Sequence, residues 1–407
     1  MSEVNDNVLA LVRAHNKSRD TRSAAIECYE RLGMPGTDCE AYRFTDMARM
    51  LPVRSIHKTA ADTPKAGADG HIRIVDGRLA TPPEANAHFS IAETGIDNAP
   101  DAFESVAPGV SDGMVALNTS LAEACIHLHI KSATALDAPL VVDIDFTTAP
   151  GQLVSPRLLL TSGVDSEARI VLRQTSRTAA SVNMVTEVHL AEHARLEVVT
   201  VQDFAPDAAV VNGLYCAQEA DTTLSLTLAS LGCRLTRNSV EASFDGERSH
   251  LDLNGICLTQ GSQHTDNHTR IRHLKPGCTS GELFKGILGG QSTAAFTGMV
   301  LVADNAQKTE AMQTNRNLLL SPQAKADTRP QLEIYADDVR CSHGATVGQL
   351  DAEQLFYMQA RGIGLDQARR LLTEAFAADV IERIGDETTR ATVREAIGTR
   401  LETLTQQ

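Results

Sequence analysis

The sequence predicts a mainly β protein in which a long β region lies between two helical ends. Between about residues 110 and 348, short runs that alternate apolar and polar side chains recur, as expected of strands with one buried face. Almost no apolar pattern long enough for a helix separates these runs. Helical spacing of apolar residues appears before and after this region. The runs read LVVDIDF, ARIVLRQ, ARLEVVTVQ, TTLSLTLAS, SHLDLNGICL, HTRIRHL, GELFKGIL, AAFTGMVLV and PQLEIYADDV.

The spacing of these runs leaves the β architecture open. Neighbouring runs lie roughly a dozen to two dozen residues apart, which suits a sandwich, a barrel or a stacked β-solenoid. Small polar residues between the runs and aliphatic residues within them are what a solenoid needs, because its aliphatic side chains stack inward. No strict repeat is visible in the sequence. The pattern alone does not decide between a solenoid and a sandwich.

The helical ends divide the chain into three predicted regions. Residues 1–107 form an N-terminal helical region and linker, residues 108–348 the β core, and residues 349–407 a C-terminal helical domain. At the N-terminus, VLALVRAH and SAAIECYERLGMP predict two helices, and Gly33 and Pro35 end the second. Residues 55–107 are rich in Pro, Gly, Ala and Asp, which predicts loops and a linker.

The C-terminal domain is predicted to contain three helices. Asp351 followed by Gln354 resembles a capping box, and Gly362 ends this first helix. The second helix carries an apolar stripe that packs either on its own domain or on a partner. The stripe consists of Ala368, Leu371, Leu372, Ala375, Phe376, Val380 and Ile384. The apolar residues of the last helix are Val393, Ala396, Ile397 and Leu401.

Composition and charge narrow the class of protein. The 407 residues are 42% hydrophobic but only 4% aromatic, so Leu, Ile, Val and Ala must fill the core. The formal net charge of −15 argues against a general nucleic-acid or anionic-membrane surface.

Cysteine usage and hydropathy predict a cytoplasmic location. Eight cysteines are scattered without a CxxC pair, which is typical of reduced and mostly buried thiols. The N-terminus has acids before any base and no long apolar stretch, unlike a secretory signal. The longest uncharged run, residues 286–303, is interrupted by polar residues and alternates like strands, so it does not predict a membrane span.

Three groups of side chains are candidates for metal or catalytic chemistry. His127 and His129 stand two apart in a strand run, so both imidazoles face one side, although ordinary alternation produces the same spacing. The segment QHTDNHTRIRHLKPGC is the richest in ligand-type residues, and a structural role is favoured for it. Its ligand-type residues are His264, Asp266, His268, His273 and Cys278.

The third group is Cys341 and His343, in CSHGATVGQLD. Both are good ligands for a soft or borderline metal, and residues two apart in a strand face one pocket. Two groups alone do not make a metal site. If Cys341 is instead buried, it acts as a small core residue.

Motifs of the common enzyme classes are absent from the sequence. There is no GxSxG, no GxxxxGK[ST] and no strand–GxGxxG–helix unit. Nothing marks Asp143 and Asp145, or Asp337 and Asp338, as a glycosidase pair. The sequence therefore supplies no self-contained active site.

The most specific motifs lie between residues 309 and 363, in TEAMQTNRNLLLSPQAKADTRPQLEIYADDVRCSHGATVGQLDAEQLFYMQARGI. The elements NRNLLLS, PQLEIYADDV, CSHGATVG, EQLFY and RGI, in this order, closely resemble the SufB/SufD family of iron–sulfur cluster assembly proteins. HTDNHTRIRHLKPGCTSGELFKGIL and EAYRFTDMARML also resemble the family, so the likeness covers most of the chain.

Three departures from the SufB pattern point to the SufD branch of this family. SufB-type chains carry a cysteine just ahead of the segment that reads NLLLS here, whereas residues 314–316 read TNR. Acidic residues flank the histidine of the SufB-type tail motif, whereas Ser342 and Gly344 flank His343. The chain is also short for SufB. These departures argue against cluster assembly by this subunit alone.

The resemblance implies an architecture and a set of partners. It implies a right-handed parallel β-helix core flanked by N-terminal and C-terminal α-helical regions. It also implies a non-catalytic scaffold subunit of the SufBCD complex, which pairs with SufB through the β-helix domains and docks a SufC ATPase through the C-terminal helices. When the chain is isolated from SufB, the resemblance also allows a homodimer.

The resemblance also implies residue roles. His343 is expected to bind iron or a nascent cluster at the SufB interface, with Cys341 beside it. No cofactor is expected to bind stably to this chain alone: the cluster or iron is transient and shared with SufB, and ATP binds to SufC. Ligands shared between two chains suit a cluster that must be released, because separating the chains dismantles the site. The candidate SufC-docking residues are Leu355, Phe356, Leu371, Leu372, Phe376 and Val380.

Two other functions stay open at this stage. One is a cytosolic β-helix enzyme acting on a polysaccharide or polyanion, with residues 264–273 as its site. The other is a SufB-like homodimeric scaffold.

Overall fold

The computed structural model describes residues 3–16, 22–58, 71–81, 86–107 and 112–405. The seven α-helices of this part are α1 Glu3–His15, α2 Ser23–Leu32, α3 Met47–Met50, α4 Gly113–Leu121, α5 Ala352–Ala360, α6 Leu365–Ile381 and α7 Glu387–Thr405. The strands before the regular core are β1 Ser55–Ile56, β2 Ile72–Val75, β3 Arg78–Thr81, β4 Phe89–Gly95, β5 Ala124–Ile130, β6 Leu140–Phe146 and β7 Gln152–Val154. The following strands are β8 Arg157–Ser162, β9 Glu167–Ser176, β10 Ser181–Leu190, β11 Arg195–Phe204, β12 Ala209–Gln218, β13 Thr223–Ser230, β14 Leu235–Phe244, β15 His250–Thr259, β16 His264–His273, β17 Thr279–Leu288, β18 Thr293–Val302, β19 Glu310–Leu319, β20 Lys325–Ile334 and β21 Arg340–Gly348.

The strands form a parallel β-solenoid of about eight turns. Each turn gives one strand to each of two sheets. Sheet I has the order β20-β18-β16-β14-β12-β10-β8-β5-β4, with β1 and β7 beside it. Sheet II has the order β21-β19-β17-β15-β13-β11-β9-β6-β2-β3. The mainly β fold with a parallel β-helix core between helical ends, predicted above, is confirmed.

Aliphatic side chains fill the space between the two sheets. Successive turns place like residues above one another, as in the column Ile170, Val198, Leu226 and Leu253 of sheet II. Full burial of one such side chain contributes about 1.5–3 kcal/mol to folding. The few aromatic residues also stack, since the rings of Phe146 and Phe204 lie 5.8 Å apart.

The N-terminal helices cover the outer face of sheet I. Val8, Tyr29 and Leu117, from α1, α2 and α4, belong to one buried cluster with Val211 and Leu235 of the solenoid. An ion pair between Arg237 and Asp266, 2.5 Å apart, is buried beneath this region. It anchors the N-terminal segment, because Arg237 also donates to the carbonyl of Ala41.

The C-terminal helices α6 and α7 cover the outer face of sheet II. Ile381, Ile397 and Leu401 pack on Ile256 and Ile287 of the strands in one buried cluster. Charge reinforces this contact, since the buried ammonium of Lys285 donates to Asp379 and to the carbonyl of Phe376. As predicted, Asp351 caps α5, accepting from the backbone N–H groups of Glu353 and Gln354.

The structure corrects the prediction of loops and a linker over residues 55–107. The described part of this segment contains β1 to β4. β2 pairs with β6 and β4 with β5, so these strands extend the N-terminal ends of the two sheets. They are seven residues or shorter and lie close to Gly and Pro, which obscures their alternation. The division at residues 107 and 108 lies beside residues outside the described ranges and stays a prediction.

Within the described ranges, no further turn stacks on the last turn of the solenoid. β20 ends sheet I and β21 ends sheet II, so each strand has a free hydrogen-bonding edge. Side chains here are half-buried or exposed, although their counterparts in earlier turns are buried. Exposed apolar residues at or next to this end are Met312, Ile334, Tyr335 and Val347. We call this end, formed by β20 and β21, the open end.

No helix in the described residues meets the length and hydropathy needed to cross a membrane.

Candidate functional site

Cys341 and His343 lie together on β21, at the open end. Their register partners on β19 are Ala311 and Gln313, both buried, so the two side chains project toward the solenoid interior. Cys341 is half-buried and packs on the main core, whereas His343 is exposed. Burial raises the pKa of the Cys341 thiol, which disfavours the thiolate that binds metals. His343 is the more accessible ligand of the two.

A groove of about 1010 Å³ lies between α6 and the last turns of sheet II, and His343 lines it. Gln313 and Glu282 line the same groove on the two preceding strands of the sheet. Its wall carries more acidic than basic side chains: besides Glu282, the acidic ones are Asp252, Glu310, Asp379 and Glu382, and the basic ones are Arg316 and Arg383. The groove wall beside β21 is therefore net acidic.

Glu282 and Gln313 are site residues that the sequence analysis missed. Glu282 is buried inside the solenoid, and burial raises its pKa to about 7. The chain positions of Glu282, Gln313 and His343 differ by 31 and 30 residues, one solenoid turn each. This spacing of about one turn is the sequence signal that relates the three residues, but it can be recognised only when the pairing of the strands is known.

His127 and His129 share a hydrogen-bonding partner. Nε2 of His127 and Nδ1 of His129 each lie 2.8 Å from the hydroxyl of Thr161, and both rings are half-buried on sheet I. Burial and the neighbouring His129 lower the pKa of His127. The pair acts as a polar contact between β5 and β8.

The segment containing His264 is structural, as favoured above. The hydroxyl of Thr45 donates a hydrogen bond to Asp266 at 2.5 Å, so Nε2 of His264, 2.9 Å away, donates to the same hydroxyl oxygen. His273 faces the interior, where its ring lies 4.5 Å from that of Phe244. Burial lowers the pKa of both His268 and His273 to about 4.

The predicted docking residues on α5 and α6 differ in exposure. Phe356 is 73% exposed and Leu371 is 40% exposed, whereas Leu355, Leu372 and Phe376 are half-buried. The predicted docking role of Val380 is corrected, because its side chain is completely buried between α6 and sheet II and has no surface for a partner. Phe376 serves partly to cover the Lys285 ammonium, which lies 4.5 Å from its ring.

Exposed Tyr357 and Leu365 lie on the same two helices. With Phe356 and Leu371 they form what we call the α5–α6 patch. A groove of about 940 Å³ beside it is lined by Phe356, Tyr357, Met358 and Leu372. Within the part of the chain that the structure describes, no three His, Cys, Asp or Glu side chains converge as metal ligands do.

Residues 146–376 match the family model described as SUF system FeS cluster assembly, SufBD core domain. The chain is 30% identical over 395 residues to the iron–sulfur cluster assembly protein SufD of Escherichia coli K12, covering 91% of this chain and 90% of that one. It is 28% identical over 383 residues to a SufBD family protein of Mycobacterium leprae, covering 91% of each chain. A SufBD family protein of Synechocystis is 31% identical over 260 residues, 61% of this chain and 57% of that one.

The match to the family model spans the solenoid from β6 into α6, including Cys341 and His343. The likeness to E. coli SufD reaches into both helical ends as well, because the 9% of the chain that it leaves uncovered is shorter than either end. The parallel solenoid and these comparisons together show that the chain belongs to the SufBD family of iron–sulfur cluster assembly proteins.

Proposed function

We propose that this chain is a SufD-like, non-catalytic scaffold subunit of a SufBCD complex, in the cytoplasm. It pairs with a SufB subunit at the open end and docks a SufC ATPase on the α5–α6 patch. His343, with Cys341 beside it, supplies ligands to iron or a nascent cluster at the SufB interface. The cluster is cargo, held transiently and shared with SufB, and ATP binds to SufC.

The observation that carries this proposal is the place of His343 on β21. Its imidazole is exposed at a free sheet edge, beside apolar side chains of the same end. A free edge presents unpaired backbone N–H and C=O groups that a strand of another chain can bind. A partner strand there would bring its own ligands next to His343, and separating the chains would release the cargo.

The α5–α6 patch supports docking of a second protein. Phe356 and Tyr357 expose most of their surface. Large aromatic side chains of this kind often anchor protein–protein interfaces. The packing of α6 and α7 on sheet II holds these helices in place without using the patch. The helix α6 borders both this patch and the groove lined by His343.

The test is anaerobic co-purification with SufB and SufC, followed by iron and sulfide analysis. His343→Ala is expected to leave the complex intact and to lower the iron and sulfide content severalfold. Cys341→Ala is expected to have the smaller effect, because its thiol is half-buried. His88→Ala is the matched control, since His88 is exposed at the other end of sheet I. Wild-type cluster content in the His343 variant would refute its ligand role.

A homodimeric scaffold is the second candidate, because the open end would also accept another copy of this chain. A twofold assembly of this kind would place two His343 side chains at one interface. Cluster assembly by the chain together with SufC, in the absence of SufB, would favour it over the heterodimer.

A further inference from the structure

Three side chains of sheet II stand in one cross-strand column that ends at the open end. Glu282 on β17 pairs in register with Gln313 on β19, which pairs with His343 on β21. Adjacent strands lie about 4.8 Å apart, so neighbouring side chains on one face reach hydrogen-bonding distance. All three line the same groove. The column runs from a buried carboxyl group, through a buried amide, to an exposed imidazole.

The orientation of the Gln313 amide is determined by its neighbours. Its Nε2 donates to Oε2 of Glu282 at 2.9 Å, and the hydroxyl of Thr269 donates to the same oxygen at 3.0 Å. Gly298 opposite has no side chain, and a Cβ there would lie 2.3 Å from Nε2. The amide nitrogen therefore points toward Glu282, and the amide oxygen points elsewhere.

Oε1 of Gln313 is buried and has no hydrogen-bond partner among the described residues. Leaving a buried acceptor without a hydrogen bond destabilises the folded chain by about 1–3 kcal/mol. A hydrogen bond from a nearby N–H group would remove this cost. The cross-strand neighbour that carries such a group is the imidazole of His343. A neutral imidazole has one N–H donor and one free nitrogen, so one hydrogen bond decides which nitrogen is left to bind a metal.

We propose that Gln313 is the positioning residue of His343: its Oε1 accepts the imidazole N–H, with Glu282 holding the amide in place, so that the other ring nitrogen faces the cargo. This inference rests on the ligand role proposed for His343. Histidines that bind metals almost always donate their other N–H to an acceptor, which sets the tautomer and the ring orientation. An exposed histidine without such an acceptor turns freely.

A partner chain at the open end would strengthen the hydrogen bond between His343 and Gln313. It would exclude water from His343, and a hydrogen bond is stronger in a surrounding of low dielectric constant. The imidazole would then be held more firmly when the two chains are together than in the isolated chain. On separation, water would compete for the same N–H and the site would loosen.

The test combines nitrogen NMR of the full chain with cluster analysis of the complex. Long-range ¹H–¹⁵N spectra report which imidazole nitrogen is protonated, and the His343 signals are assigned by their loss in His343→Ala. The wild-type chain is expected to show one predominant tautomer. Gln313→Leu is expected to give a mixture like that of free histidine and to lower cluster iron about tenfold or more, as loss of such a contact typically does.

Two further variants separate positioning from folding. Gln202→Leu removes another interior amide, which bonds Gln174 and Ser230 far from the open end, so it should leave the His343 tautomer unchanged. The exchange Glu282→Gln with Gln313→Glu keeps a donor–acceptor pair and an oxygen facing His343, so it should restore the predominant tautomer.

The outcomes also distinguish this inference from the proposed function. An unchanged His343 tautomer in Gln313→Leu would overturn the positioning role, even if His343→Ala still lowers cluster iron. A changed tautomer combined with normal cluster iron in His343→Ala would instead overturn the ligand role on which the inference rests.

Discussion

The guanidinium of Arg157 and the carboxylate of Glu187 form an ion pair with an Nη2–Oε1 distance of 2.7 Å and no solvent exposure on either side chain. Arg157 lies on β8 and Glu187 on the next strand of sheet I, β10. The backbone N–H groups of Glu104, Val106 and Ala107 donate to the carboxylate. The pair therefore fastens the segment before α4 to the solenoid.

Removing one partner of this pair should strongly destabilise the protein. Arg157→Met leaves the Glu187 charge buried without its counter-ion, which typically costs about 3–5 kcal/mol. The free energy of unfolding in denaturant checks this prediction. Arg248→Gln is the control, because the Arg248–Asp221 pair is largely exposed and should contribute little. Equal losses in the two variants would contradict the argument.

Stability should fall in acid because of His273. Its pKa is about 4 in the folded chain, against an ordinary value of 6.5, since burial disfavours the charged ring. Between these values the unfolded chain binds a proton that the folded chain excludes, so stability is lost as pH falls from about 6.5 to 4. The loss amounts to about 3 kcal/mol over the whole window.

His273→Gln keeps a polar partner for Ser280, which lies 2.8 Å from the imidazole, and never becomes charged. Denaturation midpoints between pH 7.5 and pH 5 should therefore decline less steeply in this variant. The control is His88→Ala, in which an exposed ring is removed and the slope should stay that of the wild type. A wild-type slope in His273→Gln would show that the ring charges freely.

Glu282 should have the opposite dependence on pH. Burial raises its pKa from 4.5 to about 7, so the folded chain retains a proton that the unfolded chain releases. Its contribution is fully present below about pH 4.5 and is lost as pH rises through 7. Glu282→Gln should remove this loss, so the variant gains stability relative to wild type between pH 5 and pH 8. A constant difference across that range would argue against the raised pKa.

The open end should drive association of the isolated chain. Ile334 and Val347 are exposed at the free edges of β20 and β21. Lysine at an edge strand opposes pairing, because its charge would be buried against the partner. Ile334→Lys with Val347→Lys should weaken self-association at least tenfold in sedimentation experiments, whereas Val164→Lys, at an exposed turn elsewhere, should not. Unchanged association in the edge variant would place the contact on another surface.

The α5–α6 patch should be needed for the ATPase partner and not for folding. Phe356→Asp with Leu371→Asp places charge in the patch, so co-purification with SufC should drop at least tenfold while the denaturation midpoint changes little. Val380→Asp should instead destabilise the whole domain, because Val380 is completely buried. Retention of SufC by the patch variant would move the docking surface elsewhere.

Much of the fold could be predicted from the sequence. The alternating runs gave the β core, the spacing at both ends gave the helices, and Asp351 and Gly362 delimited α5. The choice of a solenoid could not be made from the pattern, because the number of residues per turn varies. Corresponding residues of sheet II, such as Arg195, Thr223, His250, Thr279 and Glu310, are separated by 28, 27, 29 and 31 residues.

The candidate site could be predicted only in part. Cys341 and His343 stand out because they are neighbours in the sequence and bear groups that bind metals. Their unequal exposure depends on where the solenoid ends, since each inner side chain is covered by the next turn and the last turn has none above it. The burial of Val380 likewise depends on which face of α6 meets sheet II.

The sequence by itself determined the β core, the helical ends and the pair of ligand-type residues, because alternation, caps and residue chemistry are local properties. Only the tertiary structure decided that Glu282, Gln313 and His343 form one column, that Val380 is internal and that His343 lies at a free edge. These facts arise from strand register and helix docking, which bring together residues about thirty positions apart or more. Local sequence patterns therefore do not predict these long-range contacts.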